Sequence, residues 1–476
     1  MSLGEGGISL KGDEGLLTAA ERAGLAARKD EIGLYLKAHK ATRLPLIQRG
    51  SAPPNLSVSQ QSWWDWIRPS PVQLSHERIA MVRAFAVSAD AVDAALKAMV
   101  ARHQVLCSHF SEKEGAVSVA LHPASAFRVE RGEAASAAAA MAEGEAFVSQ
   151  ALPVDGEWLF KAKAIRAGNE TIVAILVAHM IVDGLSAHLL ADELKIRLEG
   201  SVAEKAALDQ PAPQFLDYAA SEQAWLQGPS GAVLTDYWLA WKERQSLLRS
   251  PGGAILTWQP GVNVSHAFTI AARARDAVQA LAVRHRASPS SVFLVLYAMA
   301  LARWSGQEHF AIRVVGNLRR TPQLAPLVGF MVCIDPVEAR IEADADFATL
   351  LKSIGTDHYN ASMLRLPGFL KFPAQKDHPG IEQEGLGETI APTFNFMPGS
   401  RKGGGAAPVS WPPPIENTSR EPWAALLWPI YLRLADRGEE TKGLFQFNEA
   451  LIGAAEQQAL MACFFAVIGE EALDGA

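Results

Sequence analysis

The sequence predicts a mixed α/β (α+β) protein with two or three compact units. The chain has 476 residues, and a domain usually takes about 150. Segments with apolar residues at helical spacing alternate along it with short runs of branched apolar residues, which are typical of strands. Hydrophobic residues make up 49% and charged residues 20%, which is the balance of a folded globular protein.

Composition excludes several classes of partner. The formal net charge of -7 argues against nucleic acid, because neutralising phosphates requires a surplus of Lys and Arg. The longest apolar runs, residues 172–177 and 292–302, are shorter than the roughly 18 residues of a membrane helix. The N-terminus lacks a basic region followed by an apolar core, so it does not resemble a secretory signal. We therefore expect no membrane partner.

The cysteines indicate a reducing environment. Cys107, Cys333 and Cys463 lie far apart, without the paired spacing of a disulfide framework or a zinc site. Buried, reduced thiols are typical of proteins of the cytoplasm. We expect a cytoplasmic protein without a structural metal.

The first 55 residues predict a small module and a linker. Residues 7–16 have the pattern of two short strands around a Gly/Asp turn. Thr18 and Glu21 form a potential capping box for a helix that runs to about Lys40. Residues 41–55 contain three prolines, each of which disfavours helix in the residue before it. We therefore assign residues 1–40 to the module and 41–55 to an extended linker.

The first half of the main body, residues 56–231, mixes helices and strands. Helical spacing predicts a helix over 89–102, and the branched apolar run over 171–177 predicts a strand. A further helix begins at Gly184. Residues 201–231, rich in Ala, Pro, Gln and Gly, have the composition of a bridge between two halves.

The second half, residues 232–476, repeats this plan without a residue-level repeat. We predict a long apolar helix over 289–303 and strands over 310–315, 393–397 and 427–434.

A candidate site lies at the end of the first predicted strand. The strand places His179 just before the turn Asp183-Gly184 and the helix that follows. Such a junction exposes side chains and the free N–H groups of a helix start, which can bind a carbonyl oxygen or an anion. A single histidine on an apolar strand is more often a hydrogen-bonded core residue, so its neighbours decide the interpretation.

Those neighbours resemble a known family. Residues 178–186, AHMIVDGLS, are similar to the HHxxxDGxS signature of the condensation domains of nonribosomal peptide synthetases and hybrid polyketide assembly lines. Further segments resemble that family's motifs in family order: residues 56–64, 102–110, 215–219, 236–238, 316–320, 328–332 and 394–396.

The resemblance implies a fold and an activity. The fold would comprise two chloramphenicol-acetyltransferase-like subdomains in a V-shaped pseudo-dimer, preceded by a partial β-hairpin docking module in residues 1–40. The activity would be acyl transfer in antibiotic biosynthesis, to an amine or hydroxyl of a small-molecule or carrier-bound acceptor. The donor would be a thioester on the phosphopantetheine arm of an acyl or peptidyl carrier protein from an upstream synthase subunit. We expect a monomer that binds no cofactor and no metal.

The resemblance also assigns roles to residues. His179 would be the catalytic imidazole, since imidazole can accept a proton at neutral pH. Asp183 is either a helix N-cap or, by resemblance, the partner of an arginine, with Arg319, Arg320 and Arg340 as candidates.

Two residues that follow Asp183 are also candidates for the site. Gly184 could offer its backbone N–H to the thioester carbonyl. Ser186 is either a hydrogen-bonding partner in the site or merely part of the first helical turn. Met331, Cys333 and Asn395 are candidates for the lining of a substrate tunnel.

The chain departs from the family pattern at two places. Ala178 replaces the first histidine of the signature, and Cys333 with Ile334 replaces the usual Asn-Thr. The catalytic imidazole is retained. The first change keeps a rival interpretation open, in which the domain is a catalytically silent recruitment platform.

Other activities have less support. A plant-type coenzyme A acyltransferase shares HxxxD, but that group's Asp-Phe-Gly-Trp-Gly motif is missing. The sequence has no Walker-type phosphate loop and no GxSxG elbow. His188 lies on a helix without a third strong ligand nearby, which disfavours a metal site with His179. Because no adenylation or carrier domain follows in the sequence, we expect a stand-alone enzyme for chain release.

Overall fold

The computed structural model divides the chain into two compact units. The first unit contains residues 45–224 and 317–333, and the second contains 1–44, 225–316 and 334–476. Residues 317–333 thus belong to the first unit although they follow most of its sequence by about a hundred positions, whereas the sequence placed a single boundary between 231 and 232. The residues described are 52–67, 78–113, 116–152, 157–243, 245–256, 259–342, 344–365, 392–397, 415–438 and 440–474, with short stretches before residue 52.

The N-terminal segment contains an antiparallel hairpin. Strand β1 (Ser2–Gly4) pairs with β2 (Gly7–Ser9). Strand β2 coincides with the start of the strand pair predicted over 7–16, and the predicted Gly/Asp turn and second strand lie outside the described residues. Residues 29, 30 and 32–34 are helical, as predicted. Residues 10–22 and 35–45 lie outside the described part of the chain.

The first unit is built on a four-stranded sheet, in the order β3-β8-β7-β6. The strands of the whole unit are β3 (Arg78–Phe85), β4 (Ser108–Lys113), β5 (Ala116–Leu121), β6 (Glu130–Glu133), β7 (Phe160–Ala167) and β8 (Glu170–Ala178). Its helices are α1 (Val58–Ile67), α2 (Ala89–Arg102), α3 (Ala137–Val148), α4 (Gly184–Glu199), α5 (Val202–Ala207) and α6 (Phe215–Leu226). Strands β4 and β5 form a separate two-stranded sheet.

Strand β8 lies inside this sheet and leads to the candidate site. It pairs antiparallel with β3 on one side and β7 on the other. Every residue of β8 after Glu170 is buried, which explains why its sequence is a continuous branched apolar run and not an alternation. The predicted strand over 171–177 is confirmed, with one more residue at each end.

The helices of the first unit bear on two of the predictions. Helix α2 has the predicted bounds, and the Ser88 hydroxyl accepts a hydrogen bond from Ala91 N–H at its start. The stretch 201–231, predicted as a bridge between two halves, contains the boundary between the two units at residues 224 and 225. It is helical in α5, α6 and the start of the next helix. Phe215, Leu216 and Ala219 are buried, so an apolar helix face outweighs the Pro- and Gly-rich composition around it.

The second unit is built on a seven-stranded sheet, in the order β11-β10-β12-β14-β15-β9-β13. Its strands are β9 (Gln259–Ile270), β10 (His309–Asn317), β11 (Val332–Arg340), β12 (Pro392–Met397), β13 (Ile415–Leu427), β14 (Ile430–Asp436) and β15 (Thr441–Asn448). Its helices are α7 (Pro229–Lys242), α8 (Ala272–Arg284), α9 (Pro289–Ser305), α10 (Phe347–Met363) and α11 (Ala454–Ile468).

The core of the second unit confirms the long apolar helix. Helix α9 is buried on nearly all sides and ends at Gly306, which adopts a left-handed conformation. The strand predicted over 427–434 is wrong in extent, because β13 ends at Leu427 and β14 begins at Ile430. Among the described helices of both units, none is long and apolar enough to cross a membrane.

Candidate active site

His179 lies in the turn between β8 and α4. Its ring nitrogen Nδ1 is 2.9 Å from the carbonyl oxygen of Val182. Since a carbonyl oxygen only accepts hydrogen bonds, Nδ1 carries the proton, and Nε2 of the neutral ring keeps its lone pair. The turn therefore fixes the tautomer that a proton acceptor at Nε2 requires.

Two aromatic side chains pack around the imidazole. The ring of Trp63, on α1, has its centroid 5.7 Å from that of His179. The ring of Phe330 meets the imidazole edge-on at 5.4 Å and contacts Trp63 at 5.8 Å. We did not predict either as a site residue. Their signals were present, because both belong to segments that resemble family motifs.

Asp183 accepts hydrogen bonds on both carboxylate oxygens. Oδ1 accepts from the backbone N–H of Ser186 at 2.7 Å, which caps α4. Oδ2 accepts from Nη1 of Arg319 at 2.6 Å, from Met331 N–H at 3.0 Å and from the Asn317 side chain at 3.3 Å. Both interpretations of Asp183 are therefore correct, since it is the helix N-cap and the partner of an arginine.

Ser186 and Arg319 extend this network. The Ser186 hydroxyl donates to the carbonyl of Gly329 at 2.8 Å and accepts from Gly329 N–H at 2.9 Å. Arg319 donates to that hydroxyl and to the carbonyl of Leu327. A Cβ at Gly329 would lie 2.0 Å from the ring of Phe215, so this position requires glycine. Of the two alternatives for Ser186, the structure favours the hydrogen-bonding partner.

The other two arginine candidates lie elsewhere. Arg340 contacts Glu338 at 2.6 Å, and 58% of its side chain is exposed, so Arg319 is the partner of Asp183 and Arg340 is not. The positive charge of Arg320 acts on Tyr218. Burial and the neighbouring Glu222 raise the pKa of Tyr218, and Arg320 offsets part of that rise.

The remaining predicted residues occupy different environments. Gly184 is exposed, and a Cβ built on it would meet no atom of the described residues within 4 Å. Met331 and Cys333 are fully buried. Asn395 belongs to the second unit, where its side-chain amide donates to the hydroxyl of Tyr431 at 2.8 Å. A tunnel role for Met331, Cys333 and Asn395 stays a prediction.

A buried carboxyl group that the sequence did not reveal lies on α6. Glu222 accepts hydrogen bonds from the Tyr218 hydroxyl at 2.6 Å and from Val58 N–H, at the start of α1, at 2.7 Å. Burial raises the pKa of Glu222 to about 7, against the effect of these two bonds. Nothing in the sequence marked it, because an isolated glutamate on a helix is usually exposed.

A second ionic cluster explains the motif at residues 102–110. His103 Nε2 is 2.7 Å from a carboxylate oxygen of Glu193, and Arg197 contacts the other oxygen at 2.6 Å. Burial raises the pKa of Glu193, but the bonds from His103 and Arg197 outweigh burial and leave the pKa below its usual range. This motif therefore links the end of α2 to α4 and supports the helix that follows the site.

The site thus combines a ring nitrogen that can accept a proton with an accessible helix start. In the neutral ring Nε2 of His179 is the acceptor, and the N–H of Gly184 lies in the first turn of α4, where backbone donors have no partner within the helix. This arrangement suits the attack of a nucleophile on a carbonyl group.

Comparisons with known proteins agree with the geometry. The family model of the condensation domain matches residues 74–367. A solved structure that describes condensation domain-mediated chain release from the enacyloxin polyketide synthase is 37% identical, with a TM-score of 0.89 over 100% of this chain and 94% of the other. The condensation domain of the monacolin K polyketide synthase MokA is 15% identical and shares the fold, with a TM-score of 0.69 over 89% of this chain and 98% of the other.

A curated relative is much longer than this chain. A linear gramicidin synthase polypeptide of Brevibacillus parabrevis is 25% identical over 337 residues, which are 68% of this chain but 6% of that polypeptide. The solved structures confirm the predicted fold class, a mixed α/β protein with two acetyltransferase-like subdomains. The matched residues include His179, Asp183 and Arg319, and the chain belongs to the condensation domain family.

Proposed function

We propose that this chain transfers an acyl group from a carrier-protein thioester to an amine or hydroxyl, with His179 as the proton acceptor. The observation that carries this proposal is the bond from Nδ1 of His179 to the Val182 carbonyl. That bond leaves Nε2 as the basic atom of the ring. The carrier's phosphopantetheine arm arrives with the substrate, and the chain itself needs no bound cofactor.

The proposed reaction balances without another reagent. Nε2 takes the proton of the acceptor's O–H or N–H while the oxygen or nitrogen attacks the thioester carbonyl. The tetrahedral intermediate then collapses, the C–S bond breaks, and the departing sulfur takes the proton from the imidazolium. The products are an ester or an amide and the free thiol of the arm.

The backbone N–H of Gly184 is our candidate for the group that stabilises the negative oxygen of the intermediate. It belongs to the first turn of α4, and no described side chain lies within 4 Å of the position that a Cβ on Gly184 would occupy. Helix N-termini carry a partial positive charge, and a donor fixed before the reaction stabilises a developing oxyanion.

Chain release is the version of this activity that we favour. It is supported by the 37% identity to the domain described for chain release from the enacyloxin polyketide synthase. A chain-releasing enzyme joins the finished acyl chain to an acceptor, which we expect to be a small molecule and not another carrier. The product would then leave the assembly line of an antibiotic pathway.

We further propose that the partner is an acyl or peptidyl carrier protein of an upstream synthase protein. The β1–β2 hairpin resembles the docking modules that use strand addition to capture a short tail of such a protein. In this proposal the enzyme works in the cytoplasm as a monomer.

The test is acyl transfer by the purified protein. An acylated carrier protein is incubated with a panel of amines and alcohols, and the products and the carrier are analysed by intact mass spectrometry. We expect one acceptor class to be acylated, and His179→Ala to abolish the transfer with the fold retained. His188→Ala is the matched control, because His188 is exposed on α4 and should leave the rate unchanged.

The recruitment platform predicts a different outcome. A platform would bind the carrier while acylating no acceptor, and His179→Ala would leave product formation unchanged. That result would replace the catalytic proposal. The acylated acceptor would in turn decide between ester and amide.

A further inference from the structure

Helix α1 contacts the His179 turn through a buried glutamine. The side-chain Nε2 of Gln60 donates to the carbonyl oxygen of Met180 at 2.7 Å, and its Oε1 accepts from Ser57 N–H at 3.0 Å. Gln60 is 2% exposed. Both ends of the amide are therefore used, and one of them holds the backbone directly after His179.

The same helix also contacts the imidazole itself. Trp63 follows Gln60 by three residues, so the two side chains lie on the same face of α1. Its ring packs against His179 and Phe330. One rigid element thus contacts both the ring of His179 and the peptide that follows it.

The start of α1 is itself fixed. Gln60 N–H donates to the Ser57 hydroxyl at 3.1 Å, which completes a capping box with the bond from Ser57 N–H to Gln60. Glu222 accepts from Val58 N–H, and the side chain of Gln223 donates to the Leu56 carbonyl at 2.6 Å. The start of α1 therefore cannot shift relative to α6 without breaking these two hydrogen bonds.

We infer that Gln60 is a positioning residue for the reaction, which holds the His179 turn through Met180 so that the imidazole keeps its place against Trp63. This inference rests on the proposed function, because it assigns Gln60 a part in acyl transfer. Proton transfer depends on the distance and angle between the base and the reacting group, so a turn that can move loses rate even when the imidazole is present.

The experiment compares three variants of the full chain. Gln60→Met keeps the side-chain length but removes both amide bonds. Gln61→Met is the matched control, because the Gln61 amide donates to Asp65 within α1. Ser57→Ala removes the hydroxyl that accepts from Gln60 N–H and leaves the Met180 bond in place, so it reports the effect of a weaker helix cap alone.

Two readouts are measured on each folded variant. One is the kcat and KM of acyl transfer. The other is the pair of ring ¹⁵N resonances of His179 in protein labelled with ¹⁵N-histidine, assigned by their loss in His179→Ala. These resonances report which ring nitrogen carries the proton, and they need no catalytic activity.

We expect Gln60→Met to lower kcat by about tenfold or more while KM changes little. Its His179 resonances should move toward the average of the two tautomers, because the turn no longer holds Nδ1 against Val182. Gln61→Met and Ser57→Ala should keep both readouts near those of the parent protein. If Gln60→Met does not fold, Gln60→Leu replaces it, since this shorter apolar side chain also removes both amide bonds and introduces no buried charge.

Two outcomes separate this inference from the proposed function. A folded Gln60→Met protein with the parent's kcat and His179 resonances overturns the positioning role. A parent protein that acylates no acceptor, while Gln60→Met still shifts the His179 resonances, supports the link between Gln60 and the ring and overturns the catalytic proposal.

Discussion

Arg319 donates from Nη1 to Oδ2 of Asp183 at 2.6 Å, and each side chain is only 2% exposed. The two residues are 136 positions apart in the sequence but belong to the same compact unit. The carboxylate also caps α4 and accepts from the backbone of Met331. This pair therefore fixes the helix start beside His179 to the segment that carries Phe330.

Removing one partner of this pair should destabilise the fold. Asp183→Ala leaves a buried guanidinium without its carboxylate, which typically costs about 3–5 kcal/mol, and the lost helix cap adds about 1 kcal/mol. Urea denaturation followed by circular dichroism measures the effect. Arg340→Met is the control, because that arginine pairs with Glu338 at the surface and should change the free energy of unfolding by less than about 1 kcal/mol. Equal losses in both variants would contradict the prediction.

The two glycines of the site should respond in opposite ways to the same substitution. A Cβ at Gly329 would clash with Phe215, whereas a Cβ at Gly184 would meet no described residue within 4 Å. Gly329→Ala should therefore destabilise the protein by about 1–3 kcal/mol. Gly184→Ala should fold with unchanged or slightly higher stability, because alanine favours helix.

The rate of acyl transfer tests whether the substrate approaches the backbone at Gly184. If the thioester carbonyl approaches this backbone N–H, an added methyl group should slow Gly184→Ala by about tenfold or more. The measurement is the initial rate of acyl transfer alongside the melting temperature. An unchanged rate in this variant would show that the substrate does not approach Gly184.

The buried Glu222 should make stability depend on pH. Its pKa is about 7 in the folded protein, against 4.5 for an ordinary glutamate, because burial favours the neutral form. The folded state therefore binds this proton more tightly than the unfolded chain. The resulting stabilisation is fully present below pH 4.5 and is lost as the pH rises through about 7, a change of about 3 kcal/mol.

Glu222→Gln removes this titration while keeping a neutral group of the same shape. Urea denaturation at pH 5 and pH 8 should show a larger fall in the free energy of unfolding for the parent protein than for the variant. Glu204→Gln is the control, because Glu204 is an exposed residue in the capping box of α5. Identical pH dependence in the parent and Glu222→Gln would contradict the assignment.

The sequence predicted the elements whose signal is local. Strand β8 and helices α2 and α9 were found because their apolar residues follow one continuous pattern. The bridge predicted over 201–231 does contain the boundary between the two units. Its helices were not predicted, because the Pro and Gly residues around them obscured their apolar faces. The extent of the strand predicted over 427–434 was wrong. Trp428 and Pro429 continue its apolar composition, but the backbone turns there between β13 and β14.

The sequence predicted the site residues that belong to one motif. It did not predict the residues that contact this motif from distant segments. His179, Asp183, Gly184 and Ser186 are consecutive enough to be recognised together. Arg319 was one of three candidates, because the sequence alone does not indicate which arginine contacts the distant carboxylate of Asp183. Gln60, Trp63 and Glu222 were not assigned to the site, since their contacts join segments more than a hundred positions apart.

Residues 317–333 belong to the first unit, which therefore consists of two separate segments of the chain. This limits how the protein can be divided into fragments. A fragment that ends near residue 224 would lack Arg319, Gly329 and Phe330, and its Asp183 would face no guanidinium. Expression of that half alone should give an unstable product. Chimaeras that exchange halves between relatives must therefore carry two separate pieces of sequence, so recombination at a single crossover point breaks the site that it is meant to transplant.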